Sequence, residues 1–206
     1  MIIAMKIWGV TGLIGSGKST AMAYLKELGY DTLDADQVSR LVVDRKTDLG
    51  KEGFGRIYRL FGAGVLDRLG NLDRTKLRKM IMLNPDDRLK LEAAIHPLIK
   101  TYIENKMGEW KRGGAELAFV EGTRLIESGV DKMFFGLVLV SCTMDIRAKR
   151  LAERDSMDVN ELKKMLDLQN EQLMQRCSRV TWTNNASITK MQDQIDQFLL
   201  KELPKS

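Results

Sequence analysis

Thiols, imidazoles and long apolar runs are all scarce in this sequence, and each scarcity removes a class of function. The two cysteines, Cys142 and Cys177, have neither metal-ligand spacing nor the density of a disulfide framework, so both read as reduced packing residues. The one histidine, His96, stands on a largely apolar stretch without neighbouring ligands, which argues for a hydrogen-bonded structural role over a metal centre. No apolar run approaches bilayer-spanning length, and Lys6 interrupts the short apolar N-terminal stretch, unlike a secretory signal. A cytoplasmic location without membrane association is the expectation. A polybasic tail, a basic-aromatic recognition pattern, internal repeats and low-complexity segments are also missing. The net charge of +5, from 33 basic and 28 acidic residues, suits phosphate-rich small ligands as well as nucleic acid, so composition alone does not choose.

What is present is more specific. Gly12-Leu13-Ile14-Gly15-Ser16-Gly17-Lys18-Ser19 fits the P-loop pattern G-x-x-x-x-G-K-[ST] and directly follows Ile3–Val10, which reads as a buried strand. Glycines let backbone N–H groups turn inward around phosphate oxygens, and the following helix offers its positive end to the same anion. Ala21, Tyr24, Leu25 and Leu28 recur at helical spacing and Gly29 stops the helix. The expected ligand is therefore a nucleoside triphosphate, gripped by residues 12–20 (through Thr20), with Lys18 on the β and γ phosphates and the Ser19 hydroxyl on Mg²⁺.

At 206 residues, 30% charged and 44% hydrophobic, the chain suits one α/β domain with an insertion. Tyr30–Asp36 reads as a second strand ending in acids, followed by a helical stretch from Gln37 to Val43. The pattern from Gly50 to about Lys111 is almost wholly helical, punctuated by Gly62, Gly64, Gly70 and Asn84-Pro85. Sixty or so helical residues between strands make a subdomain rather than a crossover. Ala115–Val120 and Phe135–Ser141 read as strands buried on two faces. A basic helix over Met144–Arg154, a polar helix over Val159–Arg176, a short strand at Val180–Trp182 and an amphipathic helix marked by Ile188, Met191, Ile195 and Phe198 close the chain. Met5, Met22, Met80, Met82, Met165 and Met174 read as core filling. This alternation predicts a parallel α/β sheet flanked by helices.

Two constellations bear on chemistry. Asp34-Ala35-Asp36 sits at a strand end, where one carboxylate can turn to a metal and the other, Asp36, to an acceptor hydroxyl as general base; an N-cap role for Asp36 is the equal alternative. Arg147, Arg150 and Arg154 fall at i, i+3, i+7 on one helix face, where guanidinium groups could clamp a transferring phosphoryl group. The competing reading of that helix is a solvated face with pairs such as Asp145 to Lys149.

Taken in order, these segments resemble the dephospho-CoA kinase family of P-loop small-molecule kinases. Thr11–Ser19 is similar to its Thr-Gly-Gly-Ile-Gly-Ser-Gly-Lys-Ser, and Asp34–Arg40 to its Asp-Ala-Asp with a following basic residue. Gly70-Asn71-Leu72-Asp73-Arg74 resembles its Gly-x-Leu-Asp-Arg turn, His96-Pro97-Leu98-Ile99 its His-Pro-x-Ile, and Lys149–Arg154 its Arg-Leu-x-x-Arg lid segment; Gln169 falls where the family keeps a glutamine. Glu121–Glu127 aligns with Asp-x-Pro-Leu-Leu-Phe-Glu, with Thr123 in place of proline and Arg124 in place of leucine. Asn184-Asn185-Ala186 matches the family's Asn-x-Gly only loosely.

The resemblance implies ATP- and Mg²⁺-dependent phosphorylation of the ribose 3′-hydroxyl of dephospho-CoA, with no nucleic-acid partner and a monomer or small homo-oligomer. It implies Asp36 as base, Arg150 and Arg154 with Lys18 on the transferred group, and Thr11, Asp36, Arg40, His96 and Glu121 on the acceptor side. It divides the chain into a nucleotide-binding core (1–49, 112–141 and 178–206), a helical acceptor-binding insertion (50–111) and a helical lid (142–177). A nucleoside monophosphate kinase, for which Arg124 would favour a compact anionic acceptor, and a degenerate nucleotide-binding member are the alternatives.

Overall fold

Strands that are apolar at successive positions must be covered on both faces, and the sheet is built accordingly. In the computed structural model, which describes residues 5–155 and 170–203, β1 (Lys6–Thr11), β2 (Asp31–Asp34), β3 (Leu117–Glu121), β4 (Gly136–Ser141) and β5 (Val180–Thr183) form one sheet. Its order is β2-β3-β1-β4-β5, and each neighbouring pair is parallel. The described helices are α1 (Lys18–Glu27), α2 (Ala35–Leu41), α3 (Asp48–Phe61), α4 (Arg74–Leu83), α5 (Pro85–Arg112), α6 (Met144–Asp155), α7 (Glu171–Cys177) and α8 (Ile188–Glu202). The predicted parallel α/β architecture is present. Among the described residues no helix is long and apolar enough to cross a membrane.

The chain partitions into two units, one containing the described residues up to Asp34 and from Gly108 onward, the other Ala35–Met107. In the first, Trp8 and Val10 of β1 point to the same face as Phe119, Val138, Val140 and Trp182, and α1 (Ala21, Leu25) and α8 (Met191, Ile195, Phe198) cover that face. Alternation sends Leu139 to the opposite face, where it meets Leu13 and Met174 of α7. Phe198 is the hub, its ring edge-on to Trp8 at 4.9 Å and to Trp182 at 5.4 Å. Phe198→Ala should therefore lower unfolding free energy by about 3–5 kcal/mol, seen as a reduced urea midpoint with an unchanged slope.

The second unit is helical. Its interior is Val38, Val42, Ile57, Val65, Leu77, Leu91, Leu98 and Ile103. Thr47 caps α3 by accepting from the Gly50 amide at 3.0 Å, and Asp73 caps α4 by accepting from the Lys76 amide at 3.0 Å. Helix α5 runs through Pro97, whose ring removes one intrahelical donor; Arg56 donates to the adjacent Ala94 carbonyl at 3.0 Å.

Several expectations need correction. The second strand ends at Asp34, because Ala35 and Asp36 already form the first turn of α2; an aspartate suits a strand end and a helix start equally, so pattern alone cannot place the boundary. Met22 and Met174 are buried, but Met82 is 66% exposed on the outer side of α4, and Cys177, at the end of α7, is exposed. Of the polar helix expected from Val159, Glu171–Cys177 is described; Met165 and Gln169 lie outside the described residues.

Candidate functional site

The carboxyl ends of the parallel strands bring Thr11, Asp34, Glu121, Ser141 and Thr183 to one edge of the sheet, where open α/β sheets bind their ligands. Asp34 and Glu121 are register partners there, and the Gly122 amide donates to the Val10 carbonyl at 3.1 Å. From the central strand the chain enters the glycine-rich loop. Gly17, the residue before α1, has φ 100°, and a Cβ added to it would run into the Asn184 side-chain amide. Glycine is required on both counts.

Helix α1 begins without a side-chain cap and without an acidic residue in its first turn. Its positive end is thus left for an external anion. Lys18 folds back across the loop, its ammonium donating to the Gly12 carbonyl at 2.6 Å and the Leu13 carbonyl at 3.3 Å. Ser19 is exposed on the first turn, next to Thr20. The hydroxyls of Thr11 and Ser16 are buried and have no hydrogen-bond partner among the described residues, a costly state in a dry interior. Together these features fit a polyphosphate carrying Mg²⁺: donors converge, and no carboxylate from the loop competes.

A second layer holds the loop from behind. Asn184, 3% exposed at the end of β5, donates from Nδ2 to the Ser16 carbonyl at 2.9 Å. Its backbone and side-chain oxygens both accept from Arg150 Nη2 at 3.2 Å. Arg150 Nη1 lies 3.8 Å from the thiol of Cys142. Burial pushes that thiol's pKa up, and the Arg150 and Arg147 charges offset this only in part, so Cys142 serves as a protonated packing group. The Asn185 side chain meanwhile accepts from the Thr143 amide at 2.8 Å, tying the loops after β4 and β5 together.

The three arginines of the α6 face do not share one environment. Arg147 is 6% exposed, with Nη2 3.4 Å from Met144 Sδ and 3.8 Å from Glu171 of α7, because that part of the α6 face is covered by α7. The Arg150 guanidinium instead reaches Asn184, and the Arg154 side chain lies outside the described residues. Asn184 carries only the loose Asn-x-Gly match in the sequence; its bond to the loop spans 168 positions, which no local pattern shows. Asn184→Ala should raise the KM for ATP about tenfold, since it unmakes one buried amide bond to the Ser16 carbonyl and strips Arg150 of its side-chain acceptor, leaving only the backbone carbonyl. An unchanged KM would reduce Asn184 to a bystander.

In the second unit, Asp36 is exposed in the first turn of α2 rather than at its N-cap, and its carbonyl accepts from Ser39 Oγ at 2.7 Å. Arg40 follows one turn later on the same helix face. His96 is half-buried within α5, immediately before Pro97.

A phosphate nest after the central strand of a parallel sheet, with a lysine folded over it and an arginine bonded to the asparagine that braces it, defines a P-loop kinase. The family model described as dephospho-CoA kinase matches residues 6–190. A dephospho-CoA kinase of Syntrophotalea carbinolica is 31% identical over 202 residues, covering 97% of this chain and 93% of its own. A crystal structure of a Thermus thermophilus protein superposes with a TM-score of 0.81 at 27% identity, covering 97% of this chain and 99% of its own. A dephospho-CoA kinase from Campylobacter jejuni shares the fold at a TM-score of 0.69 and 22% identity, with 97% and 100% coverage. The chain belongs to the dephospho-CoA kinase family.

Proposed function

We propose that this chain transfers the γ-phosphoryl group of MgATP to the ribose 3′-hydroxyl of dephospho-CoA, giving CoA and ADP. The observation that carries the reading is the family match over residues 6–190, which runs through every motif-bearing segment from the nest to the strand before Asn184. In the proposed reaction the 3′-oxygen attacks the γ-phosphorus, its proton passes to the Asp36 carboxylate, and the bond to the bridging β–γ oxygen breaks with its electron pair leaving on ADP. Lys18 and the α1 amides hold the charge that collects on the phosphoryl oxygens, joined by Arg150 and Arg154. The Ser19 hydroxyl would hold the Mg²⁺ of the nucleotide, which would supply neutralisation of phosphate charge.

On the acceptor side the reading assigns Thr11, Arg40, His96 and Glu121 to binding, with residues 50–111 as the acceptor-holding insertion and 142–177 as the lid. Thr11 brings a buried hydroxyl that lacks a protein partner among the described residues. A coupled ADP-release assay tests the reading. Turnover with dephospho-CoA well above the ATP-only rate is expected. Equal rates would defeat it, and faster turnover with AMP or CMP would replace it with a mononucleotide kinase.

A further inference from the structure

A cavity of about 540 Å³ opens within the second unit, a size typical of small-molecule sites. Its walls carry four cationic side chains, Arg40, Arg45, Lys46 and Arg74, against one carboxylate, Asp44, with Phe54 and Leu72 supplying apolar surface. Like charges gather around this cavity, and two of the side chains, Arg45 and Arg74, are held in place. Arg74 Nη2 donates to the Arg40 carbonyl at 3.2 Å, and Arg45 donates to the Gly70 carbonyl at 3.3 Å while its guanidinium stacks 4.8 Å from the Phe54 ring centre. Burial, then the neighbouring Arg40 charge, pushes the Arg74 pKa down, the direction expected of a cation that an anion would relieve. Planar guanidinium forks match phosphate oxygens two at a time.

The turn that builds this wall is the Gly70–Arg74 segment: Asp73 is committed to capping α4, which leaves the next residue, Arg74, for the cavity. Arg40 links the cavity to the candidate base, because Asp36 precedes it by four residues on α2, about 6 Å along the helix. The 3′-oxygen and the 5′-phosphate of a nucleotide sit on one sugar, a separation of the same order. We infer that this cavity binds the diphosphate of the acceptor, with Arg45 and Arg74 gripping its oxygens, Lys46 at the rim and Phe54 against the organic arm; this rests on the dephospho-CoA reading above.

The test uses Arg45→Gln, Arg74→Gln and the rim reversal Lys46→Glu in the full-length protein, each checked by thermal melting. For either arginine variant the KM for dephospho-CoA is expected to rise about 30-fold, with the KM for ATP within about twofold; Lys46→Glu should raise the former about fivefold. Inorganic pyrophosphate, added with the nucleotide site saturated by a non-hydrolysable ATP analogue, should bind wild type and lose affinity in Arg74→Gln by calorimetry. An unchanged dephospho-CoA KM in all three variants overturns the inference. If wild type does not turn over dephospho-CoA, the functional reading has failed and pyrophosphate decides alone: weaker binding by Arg74→Gln upholds a diphosphate site, and equal binding overturns it.

Discussion

Lys18→Met is expected to lower kcat/KM for phosphoryl transfer by about 10³-fold, a loss of about 4 kcal/mol of transition-state stabilisation. The argument begins with position: two carbonyls of the loop, at 2.6 and 3.3 Å, hold the ammonium over the nest. No search for geometry is needed when a triphosphate enters, and a full positive charge there is worth more than one neutral donor. Methionine keeps the unbranched stem and discards the charge, so the thermal midpoint should stay close to that of wild type. Lys18→Arg should fail to restore activity, because a wide planar guanidinium does not fit where a compact ammonium sits beneath carbonyl oxygens. Measured by ADP release, a Lys18→Met protein within tenfold of wild type would remove this lysine from the mechanism.

Asp36→Asn is the second decisive substitution. As general base, Asp36 should account for about 10²–10⁴ in kcat, and the amide cannot accept a proton at neutral pH. The KM for ATP should barely move, since Asp36 lies outside the nucleotide loop. A structural role predicts a different pattern: a first-turn carboxylate favours its helix by about 0.3–1 kcal/mol, which would appear as a small drop in melting temperature with kcat retained. Normal melting with collapsed kcat supports the base, and the reverse combination sinks it.

How much could be read in advance depended on the range of the interactions concerned. The nest, its strand and its helix were legible because the glycines, Lys18 and the apolar run are neighbours in sequence and their spacing is set by phosphate geometry. The continuous apolar runs at Leu117–Val120 and Leu137–Val140 likewise announced strands covered on both faces. The end of β2 was not legible, since Asp34-Ala35-Asp36 satisfies a strand end and a helix start alike. Periodicity placed Arg147 and Arg150 on one helix face but could not show that α7 covers one of them while the other reaches Asn184. The bracing role of Asn184 was hidden for the same reason: a loose Asn-x-Gly match after a short strand does not tell that its side chain bonds the Ser16 carbonyl.

The bond between Asn184 and Ser16 also has a consequence for biosynthesis. The glycine-rich segment leaves the ribosome well before the residue that braces it, which lies 168 positions later. A nascent chain halted before its fifth strand would hold the whole motif in loosened form and grip nucleotide poorly. Protection from proteolysis by ATP should begin only after β5 and Asn184 have emerged and docked, a step governed by long-range loop closure.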